Sequence, residues 1–209
     1  MNSMKLKTRQ RQIVITVLTA VLFFAVTMPF RRLFQVVSVT EVRPASAFNP
    51  LFGLIFGFPG ALGCAAGNLV ADIFSGYSPL MCLLGFFVQI IYGIVPYWIW
   101  KHFRCEARLN TARNVLRYML VMLADSLLTA VLLGMVMAAM GMGKVLSMVT
   151  LMLFLNNFVF CMVLGIPILL AYTAKRLKGS GGRFSLNEQF ILIFLFLAIL
   201  SAAMIGLIA

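Results

Sequence analysis

The stretch EVRPASAFNPLFGLIFGFPGALGCAAGNLVAD, Glu41 to Asp72, decides the fold. It is nearly continuous apolar chain with a charged entry at Glu41 and Arg43, a break at Pro59-Gly60, and a polar exit at Asn68 and Asp72. Such a run belongs in hydrocarbon, where every polar group that is kept costs free energy and so points to a use. The apolar part, 47–74, is too long for one upright helix, which needs roughly 20 residues, and short for two. One crossing or two sets the side of the membrane that every later residue faces.

Charge decides between the two. Suppose the stretch crosses twice and turns at Phe58-Pro59-Gly60. Three basic regions then share one side: Lys5/Lys7/Arg9/Arg11, Lys101/Arg104/Arg108/Arg113/Arg117 and Lys175/Arg176/Lys178/Arg183, which hold 13 of the 17 Lys and Arg. Only Arg31, Arg32, Arg43 and Lys144 fall on the other side. A single crossing would move the second and third regions, nine positive charges, to the outside. The tendency of Lys and Arg to stay in cytoplasmic loops selects the double crossing, with the N-terminus inside.

Composition agrees with a membrane protein. Of 209 residues, 63% are hydrophobic and 11% charged, against about 25% charged in soluble domains. Mean hydropathy is +1.05. The formal net charge of +12 would suggest nucleic acid in a soluble chain. Here the basic residues sit in short loops between apolar runs, so they read as topology signals and contacts with anionic headgroups, and no nucleic-acid partner is expected. The four cysteines form no CxxC pair, and three lie in apolar runs as small packing residues. With His102 as the only histidine, no metal site or disulfide framework is expected. The apolar run from Ile13 to Met28 reads as a retained first transmembrane helix, because Ala45-Ser46-Ala47 lies too far beyond it for a cleavage site.

The expected fold is all-α: a polytopic membrane bundle of six core helices, the second and third short, plus a C-terminal seventh. The membrane segments are 12–30, 47–58, 60–75, 79–100, 115–140, 145–174 and 190–208, in a single integral domain spanning 1–209. Pro96 and Pro167 fall near the inner ends of their helices, where a kink is tolerated. Gly53 and Gly57 form a GxxxG, continued by Gly60, Gly63 and Gly67, which lets helix backbones approach closely. Thr16 and Ala20, with Ala25 beyond, give the first helix a face of small residues for packing or for a partner. Trp98 and Trp100 are expected at the inner interface, where indoles suit the headgroup region.

This topology assigns a depth to each polar residue. Glu41 and Arg43 lie in the outer loop, and Asn49 opens the second helix. Asn68 and Asp72, four residues apart, share one face of the third. Gln89 and Tyr92 are mid-depth in the fourth helix, and Asn156 and Asn157 are in the outer half of the sixth. These groups should turn toward one another, water or a ligand. Glu41, Arg43, Asn49, Asn68, Asp72, Gln89, Asn156 and Asn157 are therefore the candidate substrate-binding residues, with Tyr77, Tyr92 and Asp125 as further candidates. The competing reading is a structural hydrogen-bond or ion-pair network. Asp125, deeper in the fifth helix, suits a ligand contact, a proton site or a buried partner for a cation.

Several function classes drop out. The chain has no GxxxxGK[ST] loop and so no P-loop ATPase of its own. One histidine at a membrane edge and no HExxH motif argue against an intramembrane hydrolase; no enzyme activity and no cofactor are expected. No repeated filter motif marks a channel.

The size, the basic N-terminus before a first helix with small residues, and the segment Val39–Asp72 with its "FGFPGALGCAAGNLVAD" resemble the substrate-binding S components of energy-coupling factor (ECF) transporters. The Gly-rich third helix ending in Asn-Leu looks like members assigned to queuosine-precursor or cobalamin uptake. The resemblance implies high-affinity capture of a vitamin or related micronutrient in a bacterial plasma membrane. It also implies as partners a transmembrane coupling subunit and two ATP-binding-cassette ATPases, which turn the loaded S component over. Such proteins dock through an AxxxA-type face on the first helix; the nearest match here is Thr16-Ala20-Ala25. Six helices are usual in the family, so 190–208 would be a seventh, or a re-entrant or interfacial segment. The loop from Val36 to Asn49 would close over the ligand. The alternatives are a stand-alone proton-coupled secondary transporter and a membrane assembly protein without a small ligand.

Overall fold

The computed structural model describes residues 2–33, 35–36, 40–41, 43–102, 109, 111–145 and 147–177. The expected seventh segment, 190–208, lies outside them, as do much of the expected ligand-closing loop and the side chain of Glu41. Helix α1 (Asn2–Leu33) leads to a short strand pair, β1 (Gln35–Val36) and β2 (Thr40–Glu41), with Gln35 opposite Glu41. A 3-10 turn (Pro44–Ala47) enters α2 (Phe48–Phe56), and α3 (Phe58–Phe74), α4 (Pro79–His102) and α5 (Ala112–Ala139) follow. The sixth rod is α6 (Met148–Phe160), a π turn (Cys161–Gly165) and α7 (Ile166–Leu177) in sequence. The described residues thus form six helical rods, the second and third short.

The deciding stretch is a helical hairpin. Gly57 adopts φ 70°, a conformation that costs glycine little and other residues more. Its N–H caps α2 on the Gly53 carbonyl at 2.7 Å, and Pro59 opens α3 at a position where its missing N–H is not needed. Phe52 lies against Gly60, and Phe48 against Cys64. Stepping four residues back on α2 while stepping four forward on α3 means the two run antiparallel.

Glycines let the hairpin seat against its neighbours. A side chain at Gly53 would run into the Gly93 carbonyl of α4; at Gly63 it would meet Thr16 and Thr19 of α1, and at Gly67 the Ala20 carbonyl. Close backbone approach of this kind holds membrane helices together where hydrocarbon offers no hydrophobic contrast. Thr16 also donates through Oγ1 to the Pro59 carbonyl at 3.2 Å, tying α1 to the hairpin turn.

At the end of the bundle bearing the α4–α5 connection, Leu51, Leu54, Tyr92, Trp100, Tyr118, Met122, Met162 and Leu169 form the apolar core. Trp100 departs from the interfacial position expected of it. It is only 2% exposed and packs edge-on to Tyr118 at 6.5 Å, because its register on α4 faces inward while Trp98, 61% exposed, faces out. The exterior is apolar: Leu18, Ile73, Phe74, Leu83, Phe87, Leu116, Leu127 and Met135 are all exposed. So much uncovered apolar surface on one chain calls for lipid around it. Four helices, Thr8–Phe30, Pro79–His102, Ala112–Ala139 and Met148–Thr173, are long and apolar enough to cross a bilayer. Caps fix where the later ones begin: Thr111 accepts from the Asn114 N–H at 3.2 Å, and Ser147 from the Thr150 N–H at 3.4 Å.

Candidate functional site

The hairpin brings its two polar ends to the same end of the bundle, beside the late turns of α1 and α5 and the early turns of α4 and α6. There a cleft opens between Phe23, Thr27 and Phe30 of α1, the segment Arg43–Ser46, Asn68 of α3, Gln89 of α4, Leu133 of α5, and Leu153 and Asn157 of α6. Counted out to its open mouth, solvent space included, it encloses about 440 Å³. Its walls are mixed: aromatic and aliphatic side chains with a few amides and one cation.

The amides are held from behind. Asn49, fully buried on the first turn of α2, donates through Nδ2 to the Gln89 backbone carbonyl at 2.7 Å and to Gln89 Oε1 at 2.6 Å. Because Oε1 is engaged, what Gln89 has left to offer the cleft is its Nε2 donor pair. On α3, Asn68 Nδ2 donates to Asp72 Oδ2 at 2.7 Å, one helical turn on, which leaves Asn68 Oδ1 as an acceptor at the wall. Across the cleft, Asn156 Oδ1 accepts from the Arg43 backbone N–H at 3.3 Å and fixes the entry segment to α6. Ser46 Oγ and Asn49 Oδ1 are buried without a hydrogen-bond partner among the described residues. Buried polar atoms are rarely left so without a reason.

Of the residues singled out from the sequence, Arg43, Asn68, Gln89 and Asn157 line the cleft. Asn49, Asp72 and Asn156 stand one hydrogen bond behind that wall. Glu41 enters by its backbone only, paired with Gln35. Tyr77 is 40% exposed beyond the end of α3, where its N–H bonds the Asp72 carbonyl at 3.2 Å. Tyr92 and Asp125 are buried deeper, outside the cleft. On α1, Thr16 and Ala20 turn toward α3, whereas Ala25 is exposed. Phe23, Thr27, Phe30, Ser46, Leu133 and Leu153 also line the cleft without having been singled out. The i, i+4, i+7 spacing of Phe23, Thr27 and Phe30 was the available signal.

These features, six helical rods among the described residues, a short second and third, and a small cleft walled by amides at one end, fit a multi-pass membrane transport protein; its ECF S-component type rests on the family match. The chain belongs to the QueT transporter family, whose family model matches residues 13–174. That match takes in all but the first turns of α1 and most of α7. Comparison with the curated proteins and with solved structures found no match.

Proposed function

We propose that this chain is the substrate-capture subunit of an ATP-driven ECF-type importer, and that its ligand is a queuosine precursor, a small fused-ring deazapurine. The observation that carries the reading is the paired amide wall: Asn68 braced by Asp72 and Gln89 braced by Asn49, facing one cleft in a member of the QueT transporter family. Gln89 Nε2 offers donors and Asn68 Oδ1 an acceptor. A deazapurine with a guanine-like edge presents the complement, a ring carbonyl beside ring and exocyclic N–H groups. Phe23 and Phe30 supply apolar faces for the ring.

In this reading the cleft faces outward. The N-terminus is then cytoplasmic, in a bacterium; the placing of Arg9, Arg11, Lys101, Arg113 and Arg117 toward the opposite end supports this. With no P-loop in the sequence, ATP hydrolysis is left to two ATP-binding-cassette subunits, joined through a coupling subunit that docks on the exposed face of α1 around Ala25. Mass spectrometry of small molecules extracted from the protein purified from a queuosine-making bacterium tests the ligand. A deazapurine at near one per chain supports the reading, and a corrinoid or no small molecule counts against it.

A further inference from the structure

Asp125 lies at the middle of α5, 1% exposed, and neither carboxylate oxygen has a hydrogen-bond partner among the described residues. Ser126 and Thr129 beside it are fully buried, and their hydroxyl oxygens are unpartnered in the same sense. The threonine is informative. Thr19, Thr27 and Thr173 each donate to the carbonyl four residues back, at 2.7–2.8 Å, the usual way for a helical hydroxyl to satisfy itself in an apolar setting. Thr129 does not, although its register would place it over the Asp125 carbonyl. Asp125 and Thr129, four apart, share one face of the helix. Ser126 sits beside the hydroxyl of Tyr92 on α4, which is 3.3 Å from Cys161 Sγ. Cys161 opens the π turn, a distortion that often accompanies functional sites, and its carbonyl accepts from the Tyr118 hydroxyl at 3.0 Å. Four buried oxygens without an assigned hydrogen bond among the described residues, Ser126 with the Tyr92 hydroxyl beside it, make one helical turn of a membrane helix costly unless a ligand or water satisfies them.

We propose that Asp125, Ser126 and Thr129 of α5, with the Tyr92 hydroxyl of α4, form a second ligand site, separate from the cleft, that takes a sodium ion. The donors are hard oxygens, which suit a hard cation rather than a soft transition metal. They carry one formal negative charge, and no group of three or more His, Cys, Asp or Glu occurs among the described residues. A monovalent ion neutralises that charge, whereas a divalent one would leave a net positive charge buried in hydrocarbon. Tyr92 is one turn below Gln89 on α4, so an ion here would brace the helix that carries one wall of the cleft.

The test is equilibrium binding of radioactive ²²Na⁺ to the full chain in lipid nanodiscs, with thermal unfolding in NaCl, KCl and choline chloride at equal ionic strength. The site predicts saturable binding near one ion per chain and a midpoint about 2–4 °C higher in NaCl than in choline chloride. Asp125→Asn, close in shape, should abolish both effects, and Thr129→Val should weaken Na⁺ binding about 10-fold or more. Should Asp125→Asn fail to fold, Thr129→Val and the unmodified chain still decide. No saturable Na⁺ binding by the unmodified chain, stabilisation equal in all three salts, or stabilisation by acid in place of Na⁺ would each overturn the assignment.

Discussion

Asn49 Nδ2 reaches Gln89 twice, at the backbone carbonyl and at Oε1, from a side chain with no exposure at all. One residue at the start of a nine-residue helix thereby sets both the position of α2 against α4 and the rotamer of a cleft amide. Asn49→Ala should cost about 1–2 kcal/mol, since it strands two acceptors away from water. It should also weaken ligand binding although Asn49 is not at the cleft wall. Paired thermal-unfolding and binding measurements check this; a variant that loses stability and keeps full affinity would show that Gln89 needs no brace.

Gly53 and Gly76 separate two kinds of glycine. A methyl group at Gly53 would strike the Gly93 carbonyl, while nothing lies within 4 Å of one at Gly76, whose φ is +78°. Gly53→Ala should push α2 off α4, cost about 1–3 kcal/mol and abolish ligand binding. Gly76→Ala should cost about 1–2 kcal/mol from backbone strain and bind normally. Equal binding in the two variants would contradict the hairpin packing described above.

Orientation can be read by labelling. In a chain whose native cysteines are replaced by serine, Tyr77→Cys should react with a membrane-impermeant maleimide on intact cells. Ala112→Cys should react only after permeabilisation. The reverse pattern would place the cleft in the cytoplasm and contradict capture from outside.

Ala25 is the one small residue of the Thr16–Ala20–Ala25 set that lies exposed. Ala25→Trp should leave ligand affinity unchanged and block co-purification with the coupling subunit. Normal assembly in this variant would move the docking face away from this part of α1.

The hairpin was legible in the sequence because two independent signals point to it, a Pro-Gly break in the apolar run and a double crossing that gathers 13 basic residues on one side; its turn was not placed, since it falls at Gly57, and Phe58-Pro59-Gly60, expected to make it, already form the first turn of α3. The Asn68–Asp72 pair was legible from spacing alone. Trp100 was not. Aromatic residues near a membrane edge are ordinarily interfacial, and only the register of α4 against Tyr118 shows that this one turns inward. The small residues Thr16 and Ala20 read as one face, but no sequence pattern tells a face that meets α3 from one that meets a partner. Ser46 and Thr27 were overlooked because a 3-10 turn and a back-bonded helical threonine carry no signal until the chain is folded. Asp125 was visible as a mid-depth carboxylate; that it stands beside the hydroxyls of Ser126 and Thr129, unpartnered among the described residues, was not.

The central claim is that the amide-walled cleft captures a deazapurine queuosine precursor without ATP. Equilibrium titration of the purified chain with that ligand, in the absence of nucleotide and of any partner, tests it most directly. Saturable one-to-one binding is expected, weakened about 10-fold or more by Asn68→Ala and by Gln89→Ala while both variants remain folded. No binding by the unmodified chain, or affinity unchanged in both variants, would contradict it.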